Sequence, residues 1–255
     1  MRSGARYLLV GVLLIVLFMI VRAPATLVPS LLPNDAAITL TGARGLLWTG
    51  TGTLHLANTN TAAIGSVSDR ALGEIAWRIA PEALLRGELG LNLRWLGQGQ
   101  DLTGELRIGR ARYRLTIDGE MDALHLRTLL APYHIRLGGR LKLHAVALEA
   151  PHREPLARSA LTGRIDWSGG DVRYRLSGRD HDARVAPLAA HLGPGFAASL
   201  HETSDQELEI LRATADTDGF ARLTLTRRFM QIFGLEWPGT GAPTDVLLTL
   251  EEQLF

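Results

Sequence analysis

The sequence contains no cysteine, which excludes a disulfide framework, a thiol nucleophile and cysteine-ligated zinc while leaving the compartment open. It also lacks an excess of either charge: 27 Lys and Arg face 26 Asp and Glu, for a formal net charge of +1. The electrostatic footprint of a nucleic-acid binder is therefore missing. No HExxH motif occurs. The eight histidines, His55, His125, His134, His144, His152, His181, His191 and His201, are scattered, with no pair one helical turn apart beside a carboxylate, and read as surface or turn residues.

Other candidate motifs fail on spacing. Gly50-Thr51-Gly52 has neither a following helix nor the lysine of a phosphate-binding loop, and reads as a turn or bulge. The cluster Ser177-Gly178-Arg179-Asp180-His181-Asp182 holds the residue types of a hydrolytic triad, but neighbours in one tight turn point in different directions, so a solvated turn is expected. Glu202, Asp205, Glu207 and Glu209 alternate around Leu208 and Ile210 and read as the wet face of a strand. No catalytic residue, cofactor site or metal ligand is assigned, and the chain is not read as an enzyme.

What is present starts with one long apolar run. Arg2 and Arg6 precede Tyr7 to Val21, and Arg22 closes it. At 1.5 Å per residue the run spans roughly 22 Å against a hydrocarbon core of ~30 Å, so crossing needs snorkelling of the flanking arginines or the apolar residues beyond Arg22. A cleaved signal peptide, for which Ala23-Pro24-Ala25 offers a small-x-small site, and a buried helix are the alternatives. The favoured reading is an uncleaved anchor over residues 1–22, with the early arginines holding residues 1–6 in the cytoplasm and the rest across the membrane. Pro24, Pro29 and Pro33 predict an extended spacer over residues 23–35, and residues 36–255 form the exported domain.

That domain reads as sheet. Apolar and polar residues alternate along Leu89, Leu91, Leu93 and Trp95, along Tyr113, Leu115 and Ile117, and along Ile165 and Trp167. These nine residues are the candidate apolar face or groove, with Arg94, Arg112, Arg114, Arg173 and Arg175 on the opposite, wet parity. Late strands are expected from Phe220 to Thr226 and from Asp245 to Leu250. Glycines 73, 87, 104, 139 and 163 each precede an alternating stretch, which suggests hairpins turning on glycine. The five tryptophans, Trp48, Trp77, Trp95, Trp167 and Trp237, read as core or rim packing. Helices are few and short, at Pro81 to Arg86, around Met121 to Leu130, and at Arg228 to Phe233. Too few to cover eight or more strands, they require the sheet to cover itself. The expected fold is mainly β: an N-terminal transmembrane helix, then a curled antiparallel meander closed as a barrel, packed as a sandwich or folded over on itself.

Three stretches resemble one known family. Gly45-Leu46-Leu47-Trp48-Thr49-Gly50 is similar to the glycine-aromatic-glycine element early in type II secretion protein N. Leu72 to Trp95, LGEIAWRIAPEALLRGELGLNLRW, resembles that family's strand, proline-started helical turn and second strand, and Leu161 to Leu176, LTGRIDWSGGDVRYRL, its later Trp-x-Gly-Gly strand pair. The resemblance implies a non-enzymatic accessory component of an inner-membrane assembly, single-pass in the cell inner membrane with its bulk in the periplasm. Its partners would be other type II secretion inner-membrane components and the secretin. The same glycine-led meander behind an anchor also resembles the AsmA-like envelope proteins, which implies an alternative: an apolar groove that binds or transfers lipid.

Overall fold

The computed structural model describes residues 11–12, 14–15, 18–31, 38–56, 70–97, 99–151, 159–176, 178–204, 208–216, 220–234 and 240–253. The chain divides into two compact units, Met1–Pro81 with Leu91–Gly97, and Glu82–Gly90 with Gln98–Phe255.

In the first unit, β1 (Ile38–Leu46) and β2 (Thr49–Leu56) form a hairpin, β3 (Arg70–Ala80) pairs antiparallel with β2, and β4 (Leu89–Leu96) lies beside β3. Period-two alternation turns Leu40, Ile75 and Trp77 inward, with Leu54, Leu93 and Trp95 packed against them. Gly50 and Gly52 lie inside β2, and of the expected turn or bulge it is an irregularity that is found, a register shift of β1 between Thr41 and Arg44 opposite Gly52. At position 50 the reason for glycine is a close approach: a Cβ on Gly50 would sit 2.5 Å from Trp77 Cζ2 and 2.6 Å from the Arg44 carbonyl oxygen, so only glycine lets the Trp77 ring come this close to β2.

At the N-terminus, described residues between 11 and 21 are helical, and Val12, Leu14, Ile15, Phe18, Met19, Ile20 and Val21 are all exposed. Among the described residues no helix is long and apolar enough to cross a membrane. The rest of the Tyr7 to Val21 run, with Arg2 and Arg6, lies outside them. The helix end is tied to the β1–β2 hairpin: the Trp48 Nε1–H donates to the Ile20 carbonyl at 2.9 Å, and the Leu47 N–H to the Ala23 carbonyl at 2.8 Å. The Ile20 carbonyl also accepts from the Ala23 N–H at 3.2 Å, so the last helical turn is closed by the chain itself and by the hairpin. The described part of the expected spacer, residues 23–31, is not extended. Ala25–Leu27 is a 3-10 turn, Val28–Leu31 a turn of α-helix, and Ala25 is fully buried. Pro24 and Pro29 sit at the starts of these turns, where a missing N–H costs no hydrogen bond.

The second unit is built on a nine-stranded antiparallel sheet. Its chain runs through β5 (Gln100–Ile108), β6 (Arg112–Asp122), β7 (Arg136–Leu137), β8 (Arg140–Pro151), β9 (Ala160–Trp167), β10 (Gly170–Leu176), β11 (Arg179–Val185), β12 (Leu188–Pro194), β13 (Ala197–Glu202), β14 (Glu209–Ala215), β15 (Phe220–Thr226) and β16 (Val246–Gln253). In space the order is β5-β6-β8-β9-β12-β13-β14-β15-β16, with β11-β10-β7 as a second, three-stranded sheet. Among the described residues β16 pairs with β15 alone, so no barrel closes. The small sheet covers one part of the large one. Val172 and Val185 from it bury against Trp167, Leu188 and Ile210, and Phe229, Ile232 and Phe233 at the helix Arg227–Ile232 pack on the same cluster.

Helices stand where expected, at Pro81–Leu84, through Ala123–Tyr133 and at Arg227–Ile232. Three of the five strand-leading glycines, Gly73, Gly104 and Gly163, lie inside strands and not at hairpin turns. Gly163 faces an irregularity of β8, where Ala145 takes φ 45° and its N–H donates to Asp118 Oδ1 at 2.6 Å. With φ +127° and Val146 Cα 2.7 Å from where a Cβ would stand, glycine is required there to let the two backbones meet.

Candidate functional site

The large sheet of the second unit has two chemically opposite faces, and the register defines them. On one face Leu106, Leu115, Leu148 and Leu161 form a row across β5, β6, β8 and β9. Ile117 meets Val146, and Leu143 meets Ile165. Towards the later strands Leu192 opposes Ala198, Ala213 opposes Leu223, and Leu223 opposes Leu250. Where the small sheet lies over this face, Trp167 and Leu188 are buried; away from it Leu106, Leu115, Leu148 and Leu161 are only half-buried. Central strands packed on both sides bury such residues, so among the described residues these four leucines are only partly covered, while Leu102 and Ala150 on the same face are buried. At about 4.8 Å per strand the nine strands span about 38 Å along the sheet.

The nine candidate apolar residues are placed as follows. Leu89, Leu91, Leu93, Trp95, Tyr113, Leu115, Ile117 and Ile165 are half-buried and Trp167 is buried, while Asn92, Arg94, Arg112 and Arg114 between them are exposed. Leu93 and Trp95 join the core of the first unit, and Ile165 and Trp167 that of the second. Tyr113, Leu115 and Ile117 share the apolar face of the large sheet. Of the flanking cations Arg22 is described, stacked 5.5 Å over the Phe18 ring.

The other face carries charges in cross-strand pairs. Glu149 accepts from Arg112 at 2.9 Å and from Arg114 at 3.1 Å, and those guanidinium hydrogen bonds hold its carboxyl below the usual range. Lys142 lies 3.5 Å from Glu120, and the Arg222 Nε–H donates to Glu251 at 2.7 Å. Exposed pairs like these contribute about 0–1 kcal/mol each, so their concentration on one face does little for stability and leaves a surface suited to charge-matched recognition.

Among the described residues the polar clusters do not converge on a reactive site. Arg179 to Asp182 belongs to β11, not to a turn, so alternation sends His181 to one face and Asp180 and Asp182 to the other. His181 stacks on Tyr174 at 5.4 Å, Asp180 pairs with Arg175 and Asp182 with Arg173; the Ser177 side chain lies outside the described residues. Of the acidic run, Asp205 and Glu207 lie outside the described residues, and Glu202 and Glu209 stand on different strands. Glu202 ends β13 on the apolar side at 7% exposure and accepts from Arg228 at 2.7 and 2.9 Å, while Glu209 opens β14. Among the described residues no three His, Asp or Glu side chains could hold a metal ion. The Glu202–Arg228 pair was not readable beforehand, because its partners come from separate elements.

No curated protein and no solved structure matches the chain. The family model of type II secretion system protein N matches residues 36–227, from just before β1 to just after β15. With that share of its length matched, the chain belongs to the type II secretion system protein N family.

Proposed function

We propose that the protein is a non-enzymatic accessory component of the inner-membrane assembly of the type II secretion system, held by residues 1–22 with residues 36–255 in the periplasm. The observation that carries this is the family match over residues 36–227, and membership implies a role in type II secretion and contact with other components of that machine. The exposed apolar side chains at 12, 14, 15 and 18–21, flanked by Arg22, support a lipid-facing anchor. In this reading the charged face of the large sheet meets other secretion subunits. Photo-crosslinking residues at Arg112 and Arg114 in secreting cells test it: covalent products with other subunits of the secretion machine are expected, and their absence from both positions overturns the assignment of this face.

A second reading, in which the apolar face accepts lipid, is favoured by the half-buried row Leu106, Leu115, Leu148 and Leu161. The sheet's span exceeds half of a ~30 Å hydrocarbon core, the depth of one leaflet's chains. A crosslinker at Leu115 that captures phospholipid in cells supports it; capture of protein alone removes it.

A further inference from the structure

Between β6 and β8 the chain leaves the large sheet, and with β10 it builds a recess of about 280 Å³ lined by Arg127, His134, Arg136, Arg173, Arg175 and Asp180. Arg173 and Arg175 are alternate residues of β10 and share its outward face, and Arg136 stands directly opposite Arg173 in the β7–β10 register. Like charges directly opposite one another across a strand pair are destabilising. The carboxylates do not resolve this. Asp182 pairs with Arg173 at 2.7 Å and Asp180 with Arg175 at 2.8 Å, and among the described residues no carboxylate lies within ion-pair distance of Arg127 or Arg136. The recess keeps two guanidinium groups in excess. Asp180 reports the resulting positive field: Arg175 above all, then Arg173 and Arg136, holds its carboxyl below the ordinary value.

Residues next to the lining along the chain supply a second, independent signal. Leu124 and Tyr133, both large and mostly carbon, are 60% and 70% exposed. Leu124 lies three residues before Arg127 in consecutive helical turns, which puts the two on one side, and Tyr133 precedes His134 of the lining. Guanidinium groups bind phosphate oxygens in a bidentate fork, while leucine and tyrosine beside basic residues are the composition of a surface that enters the headgroup layer.

We infer that this recess takes the phosphate of an anionic phospholipid, gripped by Arg127 and Arg136, while Leu124 and Tyr133 enter the headgroup layer. The site is separate from the charged and apolar faces of the large sheet and does not rest on the secretion role.

Because the chain has no cysteine, Tyr133→Cys gives a single position for an environment-sensitive fluorophore. The full chain, held in a neutral detergent, is titrated with mixed micelles carrying phosphatidylglycerol or phosphatidylcholine. The expected result is a blue shift with phosphatidylglycerol that weakens as salt is raised, and little with phosphatidylcholine. Replacing both cations, Arg127→Gln with Arg136→Gln, should weaken apparent affinity about thirtyfold, from roughly fivefold per basic residue. Arg222→Gln, on the large sheet, should leave it unchanged, and circular dichroism checks that each variant is folded. Equal shifts with both lipids, or affinity unmoved by the double substitution, overturn the inference. Inorganic phosphate that binds with the same dependence on Arg127 and Arg136, with no blue shift on lipid, shows a free-anion site and overturns the lipid. A crosslinker at Tyr133 that yields only protein adducts in cells assigns the recess to an acidic partner and overturns it equally.

Discussion

Glu202 lies on the apolar side of β13, where an unmatched carboxylate is expensive, and the Arg228 guanidinium supplies the match. Arg228→Ala should therefore destabilise the fold by about 1–3 kcal/mol, below the range for a fully buried pair because Arg228 is partly exposed. Arg222→Ala, which breaks the exposed pair with Glu251, should cost about 0.5 kcal/mol or less; urea midpoints compare them directly. Gly50→Ala forces a methyl group into the Trp77 ring and the Arg44 carbonyl, and an overpacking loss of about 1–3 kcal/mol is expected as a lowered thermal midpoint. Acid should act through Glu149. Its carboxyl is depressed by Arg114 and Arg112, so its contribution is complete above the unfolded carboxylate value of about 4.3 and is lost as pH falls through the lower, folded value. Glu149→Gln should lie at most about 1 kcal/mol below wild type at neutral pH, with the gap closing in acid. At this scale the sequence told little. Nothing in the local sequence distinguishes Glu202 from its acidic neighbours until Arg228 arrives from another element, and the demand for glycine at position 50 comes from a ring on β3.

Alternation marked individual strands well: Phe220–Thr226 falls on β15, and the arginines at 94, 112, 114, 173 and 175 are all exposed. It did not show that β7, β10 and β11 leave the meander for a second sheet, because a covering strand and a covered one have the same period-two pattern. Val172 and Tyr174 look, residue by residue, like Leu115 and Ile117. The difference lies in what stands opposite, and it can be measured. Ile165 packs against the buried cluster around Trp167, so Ile165→Asp should cost several kcal/mol and leave little folded protein. Leu115, in the half-buried row, should tolerate Asp at about 1–2 kcal/mol. A Leu115→Asp variant as unstable as Ile165→Asp in urea would show that both ends of the apolar face are covered.

For the whole molecule, the sidedness proposed for the membrane can be tested with one residue. Leu85 is 91% exposed and the chain offers no competing thiol, so Leu85→Cys should react with an impermeant maleimide in spheroplasts with intact inner membranes. Labelling only after lysis would place this unit in the cytoplasm and remove the periplasmic assignment. The open end of the large sheet has its own consequence. From β12 to β15 each strand bonds to a neighbour on either side, so order is passed along the row from strand to strand, and among the described residues β16 is held from one side alone. Such a row loosens from its end, as a zip does. Amide hydrogens of Val246 to Gln253 should exchange with solvent first, those of β15 next, and those of β12 beneath Val172 and Val185 last, a gradient in time written by the order in which the chain was laid down.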